Sequence, residues 1–190
     1  IAITIFQEWG SPVRNVRVNA LGDRESQQRF LRELGVYLKK HALVLVGDPE
    51  GPLSNNPIEQ YRLLVAKHPE LVPQAPRPVN FLSEKSRSHF RNLLEQLELL
   101  GVPYQLDHTL TGDTRDQRVI FTLDMADSDP ILHGGVGGRL DDHLRRTINQ
   151  KEAGAVHAAL FFNRKGLNRT SYTFADSPEA KVCLVQLGTR

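Results

Sequence analysis

The chain has 190 residues and is poor in several features that would narrow its class at once. Its single cysteine, Cys183, excludes an intramolecular disulfide, and the neighbours Val182 and Leu184 favour a buried small hydrophobic residue over a reactive thiolate. No stretch approaches the roughly 20 apolar residues that cross a bilayer. Ile1 opens the chain without an initiator Met and without the basic flank of a signal peptide, which suggests a trimmed product. We expect a soluble intracellular protein of the cytoplasm or an organelle matrix.

The net charge of the chain is also small. The 24 basic and 22 acidic side chains leave a formal charge of +2, so no global field would hold the protein on nucleic acid or on an anionic membrane. The seven histidines are scattered, with no His-Glu-x-x-His pair, and we expect no metal site. The sequence lacks the Gly-x-Ser-x-Gly elbow of hydrolases and the phosphate loop of NTPases. Those enzyme classes are therefore not indicated.

The sequence pattern predicts three helices in the first 101 residues. An apolar stripe runs from Arg24 to Lys40 with Asp23 as N-cap, a shorter helix spans 58–67 among several prolines, and Ser83 caps a third that ends before Gly101. Residues 1–9 fit a strand and a helix equally well, and that choice stays open. A further helix is predicted from Leu140 to Gln150.

Alternation predicts strands at 15–19, 102–107, 118–125 and 182–187, and an apolar run follows from 153 to 162. We expect the second and third of these strands to form an antiparallel pair joined through residues 108–117. Helices mixed with such a pair indicate an α+β domain with a largely antiparallel sheet, rather than a doubly wound parallel one.

The segment 134–138 reads Gly-Gly-Val-Gly-Gly and precedes Arg139. Glycines before a helix would let the backbone approach a ligand, and the arginine could bind a phosphate or carboxylate. A structural glycine turn with a solvated arginine is the competing interpretation. The pattern lacks the spacing and context of a dinucleotide-binding motif.

Gly137-Gly138-Arg139-Leu140-Asp141 resembles the Gly-Gly-Arg-Tyr-Asp signature of histidyl-tRNA synthetases at four of five positions. Segment 17–23 resembles the strand and glycine turn that enter the helical insertion of that family, and segment 81–106 resembles the helix and strand that leave it. Segment 181–188 is similar to the first strand of the family's anticodon-binding domain. The resemblance implies the carboxyl half of a class II synthetase-like core at 1–23 and 81–175, an insertion at 24–80, and the start of an anticodon-binding-like domain at 180–190.

The resemblance is weakest where the family holds its ligands. An Arg-Gly-Leu-Asp-Tyr-Tyr signature there supplies an arginine for the α-phosphate and tyrosines for the histidine pocket. The corresponding stretch here, 110–117, has neither tyrosine and only a displaced Arg115, with Arg118 as a conceivable substitute. The ATP-packing arginine of the third class II motif would fall near Arg164, and the first two motifs would lie upstream of Ile1. We expect no catalytic residue in this chain and a vestigial ligand pocket comprising Arg115, Arg118, Gly137, Gly138, Arg139 and Asp141.

Basic residues follow the glycine segment and could form a local RNA-binding patch, although a solvated surface explains them equally well. They are Arg145, Arg146, Arg164, Lys165 and Arg169.

Three functions remain open from the sequence. The leading hypothesis is a non-catalytic relative of histidyl-tRNA synthetase that serves as a structural, dimerising or RNA-binding part of a larger translation-related assembly, with a protein partner or a homodimer, possible contact with RNA or tRNA, and no cofactor. A divergent histidine-tRNA ligase is the second, and it alone would need ATP and magnesium. The third is a regulatory subunit of ATP phosphoribosyltransferase, against which the insertion-like segment and the last strand argue.

Overall fold

The computed structural model describes residues 1–42, 56–112, 117–126, 133–141 and 154–161, with the single residues 145, 147 and 149. Within them, one sheet contains β1 (Val13–Gly22), β2 (Tyr104–Leu106), β3 (Gln117–Met125), β4 (His133–Arg139) and β5 (Val156–Leu160). Its order is β2-β1-β3-β4-β5. Only the β1–β2 pair is parallel, and the other three pairs are antiparallel. The predicted α+β class with a mostly antiparallel sheet is confirmed.

The alternation of β1 separates the two faces of the sheet. Val16 and Val18 point to an apolar face, and Arg17 and Asn19 point to the opposite, polar one. The helix α4 (Glu84–Leu99) packs against the apolar face through a stripe of side chains. Those side chains are Phe90, Leu93, Leu94 and Leu97.

The expected pairing of the two strands that follow α4 is wrong. β2 does not pair with β3, because β1 lies between them and Val16 is registered with Tyr104 on one side and Leu123 on the other. Residues 107–112, which follow β2, are held against β1. Asp107 N–H donates to the Val18 carbonyl at 2.9 Å.

Residues 1–9, for which the sequence fits two structures, form the short helix α1 (Ala2–Glu8). Its anchor is Phe6, which is buried in the same core as Leu123 and Met125. Ala2 and Ile3 pack beside it, so the buried face of this segment follows helical spacing rather than the alternation of a strand.

Residues after β1 build a small helical unit with its own core. It contains α2 (Arg24–Lys40), α3 (Pro57–Lys67) and 3₁₀ turns at Pro69–Gln74 and Pro78–Phe81. The helices predicted at 24–40 and 58–67 are confirmed. Their buried side chains are Phe30, Leu34, Leu38, Tyr61, Leu64 and Ala75. The assignment of 24–80 as an insertion stays a prediction.

The two ends of this unit meet at one carboxylate. Asp23 accepts from the Ser26 backbone N–H at 2.9 Å and caps α2, while its other oxygen accepts from the hydroxyls of Ser83 and Ser86 at the start of α4. Ser83 caps α4 through the Ser86 N–H. Both predicted N-caps are thus confirmed. Burial raises the pKa of Asp23, but the hydrogen bonds from Ser83, Ser26 and Ser86 outweigh it and hold that pKa well below its usual value.

Candidate functional site

The glycine-rich segment is a strand rather than the turn expected from the sequence. Its residues lie in β4, between β3 and β5. A Cβ added at Gly137 would lie 2.5 Å from the Phe121 ring and closer still to the His157 carbonyl oxygen, and one at Gly134 would overlap the Met125 sulfur. At these two positions, the space that a side chain would need is filled by the protein's own atoms.

A buried carboxylate sits where β4 ends. The Asp141 side chain is only 2% exposed. It accepts hydrogen bonds from Arg139 Nε at 3.1 Å and from the Ala155 backbone N–H at 3.0 Å. Its Oδ2 atom also forms an ion pair with Arg118, whose Nε lies 3.1 Å away. The Arg139 Nη2 atom adds a further bond at 3.2 Å. We call Arg118, Arg139 and Asp141 the arginine clamp, because one carboxylate holds two guanidinium groups.

Arg118 reaches the clamp from a distorted point of β3. Its φ is 63°, in the left-handed region that a non-glycine residue rarely adopts. The register with β1 shifts here, between Ala20 and Gly22. A bulge of this kind redirects a side chain, at a backbone cost of about 1–3 kcal/mol. The ion pair with Asp141 provides a local interaction that offsets part of this cost.

The charges of the clamp sum to +1. Burial alone raises the pKa of Asp141, but the Ala155 hydrogen bond and the two guanidinium groups outweigh it and lower that pKa below its usual value. The same two positive charges act on His89 of α4. Burial and then the positive charges of Arg139 and Arg118 lower the pKa of His89, which favours a neutral imidazole.

A cavity of about 360 Å³ adjoins the clamp between α1, α4 and the apolar face of the sheet. Arg139 and His89 are the only ionisable side chains among its lining residues. The rest of the wall is apolar apart from the Gly138 backbone, and comprises Ile1, Ala2, Ile3, Val16, Val18, Leu93, Leu97, Val119, Phe121, Leu123 and Val156. Such a wall suits an apolar occupant better than a polyphosphate.

The opposite face of the sheet carries a second ion cluster that sequence reasoning missed. Arg17 donates to Asp107 at 2.7 Å and to Asp124 at 3.2 Å, and all three side chains are largely buried. Asn19 beside it donates to the Leu110 carbonyl at 2.7 Å. These bonds attach the segment after β2 to β1. The available signal was the alternation of β1, which places an arginine on a face that the chain covers.

Another arginine links the helical unit to this face. Arg62 of α3 donates through Nε to the Thr111 hydroxyl at 3.1 Å and through Nη2 to the Gly112 carbonyl. Nothing in the sequence pattern of α3 distinguishes this arginine from a solvated one. Its guanidinium fixes the backbone at the start of stretch 110–117, where the resemblance places the phosphate arginine.

The structure therefore brings only some of the predicted pocket residues together. The structure places Arg118, Arg139 and Asp141 in direct contact, with Gly137 and Gly138 on the adjoining strand, while Arg115 lies outside the described residues. Of the basic residues predicted for RNA, Arg145 is helical and partly buried. The others, Arg146, Arg164, Lys165 and Arg169, lie outside the described part of the chain, as do Cys183 and the predicted strand at 182–187.

Two further features are absent from the described residues. They contain no group of three or more His, Cys, Asp or Glu side chains placed to hold a metal ion. Among the same residues, no helix has the length and apolar character to cross a membrane.

Comparisons with known proteins point to one family. The chain is 34% identical to the histidine–tRNA ligase of Aromatoleum aromaticum, over 97% of this chain and 42% of that protein. It is 29% identical to the ligase of Thermosynechococcus vestitus, over 94% of this chain and 40% of that protein. The chain is histidyl-tRNA synthetase-like.

This histidyl-tRNA synthetase-like chain spans about two fifths of the length of those curated relatives. Its fold matches the crystal structure of the apo histidyl-tRNA synthetase of S. aureus with a TM-score of 0.53 and 22% identity, over 83% of this chain and 38% of that one. That likeness supports the class II synthetase fold alone. A scan of protein-family models found no match.

Proposed function

We propose that the chain is a non-catalytic, histidyl-tRNA synthetase-like domain that serves as a structural component of a larger assembly. The observation that carries the proposal is the arginine clamp. Arg118 and Arg139 are the described cations of the predicted pocket, and both are bonded to the buried carboxylate of Asp141.

Amino-acid activation needs cations that are free to meet negative charge as it develops on phosphate oxygens. Preorganised donors of this kind supply several kcal/mol of transition-state stabilisation. A guanidinium that is already paired with a buried carboxylate must first break that pair, and breaking such a pair costs about 3–5 kcal/mol. In this proposal the two arginines of the clamp stabilise the fold and do not bind a phosphate.

The neighbouring cavity supports the same proposal. ATP and its magnesium would require several charged or polar groups, whereas this wall is apolar apart from Arg139 and His89. The lowered pKa of His89 leaves that side chain without positive charge near neutral pH. The described residues therefore favour no nucleotide on this face of the sheet.

A divergent histidine–tRNA ligase is the second candidate, and the identity to curated ligases along nearly the whole chain favours it. In that case the phosphate cation would come from Arg115, and the rest of the machinery from beyond the two fifths of a ligase that this chain matches.

Histidine-dependent ATP–pyrophosphate exchange separates the two candidates. The assay uses the protein in its complete natural form, with the histidyl-tRNA synthetase of S. aureus as the active control. The non-catalytic proposal predicts no exchange above the level without histidine, and no rise in melting temperature with histidine and ATP, since a ligand stabilises the state that binds it. Histidine-dependent exchange would overturn the proposal and establish the ligase.

A further inference from the structure

Residues 107–112, which we call the strap, lie against the polar face of β1. Arg17 donates to the carboxylate of Asp107 at 2.7 Å, and Asn19 Nδ2 donates to the Leu110 carbonyl at 2.7 Å. Both donors are side chains of β1, so the first part of the strap is held by the sheet.

The last part of the strap is held by the helical unit instead. Arg62 of α3 donates through Nε to the Thr111 hydroxyl at 3.1 Å and through Nη2 to the Gly112 carbonyl. Thr111 is buried, so the bond from Arg62 offsets the cost of removing its hydroxyl from water. The strap is thus bonded to the sheet at one end and to α3 at the other.

The residue before Arg62 shows that α3 lies close to the strap. Tyr61 is fully buried in the core of the helical unit. Burial, and after it the negative charge of Asp107, raises the pKa of Tyr61 to about 12. The carboxylate of the strap therefore acts on a side chain in the core of the helical unit.

The helical unit is built to loosen as one body. Its buried side chains form a cluster distinct from the core beneath the sheet, and its two ends meet at the carboxylate of Asp23. A segment with its own core can open cooperatively while the rest of a protein stays folded. Arg62 keeps both of its bonds to the strap only while α3 holds its place.

We propose that Arg62 is a latch through which the helical unit holds the strap, so that the order of the unit and the order of the strap depend on each other. Arg62 is exposed and its two acceptors are uncharged, so the latch is weaker than the largely buried ion pairs of Arg17. It can therefore open while the sheet stays folded.

The latch has a consequence for the chain that follows. The strap ends within stretch 110–117, so the helical unit sets the point at which that stretch leaves the sheet. This inference goes beyond the proposed structural role and does not rest on it, because no residue of the arginine clamp takes part.

Amide hydrogen exchange, followed residue by residue with NMR on the full chain, tests the latch. The N–H groups of Asp107, Thr109 and Leu110 all donate hydrogen bonds, so they exchange slowly while the strap is in place. Arg62→Met removes both bonds of the latch and should speed exchange of these three amides by about three- to tenfold. Arg29→Met is the matched control, because the ion pair of Arg29 lies within α2, and it should leave them unchanged.

The effect must also run in the opposite direction, because a coupling free energy is reciprocal. Thr111→Val keeps the shape of the side chain but removes the acceptor of Arg62 Nε. It should speed exchange in α3, including the His68 N–H that donates to the Leu64 carbonyl at 2.8 Å. The strap amides of the double variant should match those of Arg62→Met alone, since the latch is lost only once.

Leu38→Ala adds a test from within the helical unit. Leu38 is buried in the core of the unit, to which no residue of the strap belongs, so the cavity loosens the unit from a distance. It should speed exchange of the strap amides in the parent chain and have no further effect on them in Arg62→Met. The proposal is overturned if Arg62→Met leaves the strap amides unchanged. It is also overturned if Arg62→Met speeds exchange equally across β1 and β3, which would indicate a global loss of stability.

Discussion

Replacing Asp141 with asparagine should be among the most destabilising single changes in the described part of the chain. The side chain keeps its shape, so the loss is that of the charge. Asp141 is 2% exposed and holds two guanidinium groups that are themselves 22% and 31% exposed. The variant leaves both arginines partly buried with no counter-charge, and its amide turns one oxygen acceptor into a donor that faces them.

Breaking a fully buried ion pair costs about 3–5 kcal/mol. Because the arginines retain some contact with water, we expect a loss of about 2–4 kcal/mol in the free energy of unfolding. Urea denaturation measures it directly: at a slope of about 1–3 kcal/mol per molar, the midpoint falls by about 1 M or more. Glu25→Gln is the matched control, since Glu25 is 74% exposed and pairs with Arg29 across one helical turn. That change should cost less than about 0.5 kcal/mol.

A combined replacement separates charge from packing. Asp141→Leu with Arg118→Met and Arg139→Met removes the whole clamp, and it should be more stable than Asp141→Asn, because no unpaired charge stays buried. If Asp141→Asn costs less than about 1 kcal/mol, or if the triple variant is the less stable of the two, the reasoning about the clamp is refuted.

Other changes test neighbouring features. Gly137→Ala should cost about 1–3 kcal/mol through overlap with the His157 carbonyl and Phe121, whereas Gly35→Ala, in an open part of α2, should stabilise by up to about 1 kcal/mol, both measured by urea denaturation. Asp23→Ala should cost about 2–3 kcal/mol, because it removes the N-cap of α2 and leaves the Ser83 and Ser86 hydroxyls without their acceptor, and a lower urea midpoint would show it. The pKa values of Asp23 and Asp141 are lowered in the folded state, so their contributions to stability are complete well above the unfolded value of 3.8 and are lost progressively as the pH falls from there toward the lowered values. The free energy of unfolding should therefore decrease during acid titration, and less steeply in Asp23→Ala. If the basic residues bind RNA, Arg145→Gln should weaken tRNA binding and reduce its salt dependence in a filter-binding assay.

Local sequence rules correctly predict the features that depend on side chains close to one another in the chain. The N-caps Asp23 and Ser83 and the helices that they open follow from side chains within one turn. The neighbour of β2 could not be predicted in this way, because it depends on Arg17 and Asn19 holding the segment after β2 across β1. Sequence patterns record which residues face a core, but not which distant carboxylate receives a given arginine.

The same limit applied at the candidate site. Gly-Gly-Arg-x-Asp indicated a ligand loop, yet the partners of Arg139 and Asp141 are each other, Arg118 and the Ala155 backbone. Arg118 comes from a different strand, at a position where the backbone is left-handed and the register with β1 shifts. No periodicity reveals such a bulge.

Packing and ion pairing account for the family's signature in this chain without any ligand. Gly137 is required by the Phe121 ring, and Asp141 joins the end of β4 to the start of β5 through Ala155. A chain that kept only the fold would need both residues as much as an active enzyme would. Resemblance at these positions therefore reports the class II architecture. Whether such a chain can activate an amino acid depends instead on cations that are free to bind a phosphate. On the apolar face of the described sheet, Arg118 and Arg139 are already paired with Asp141.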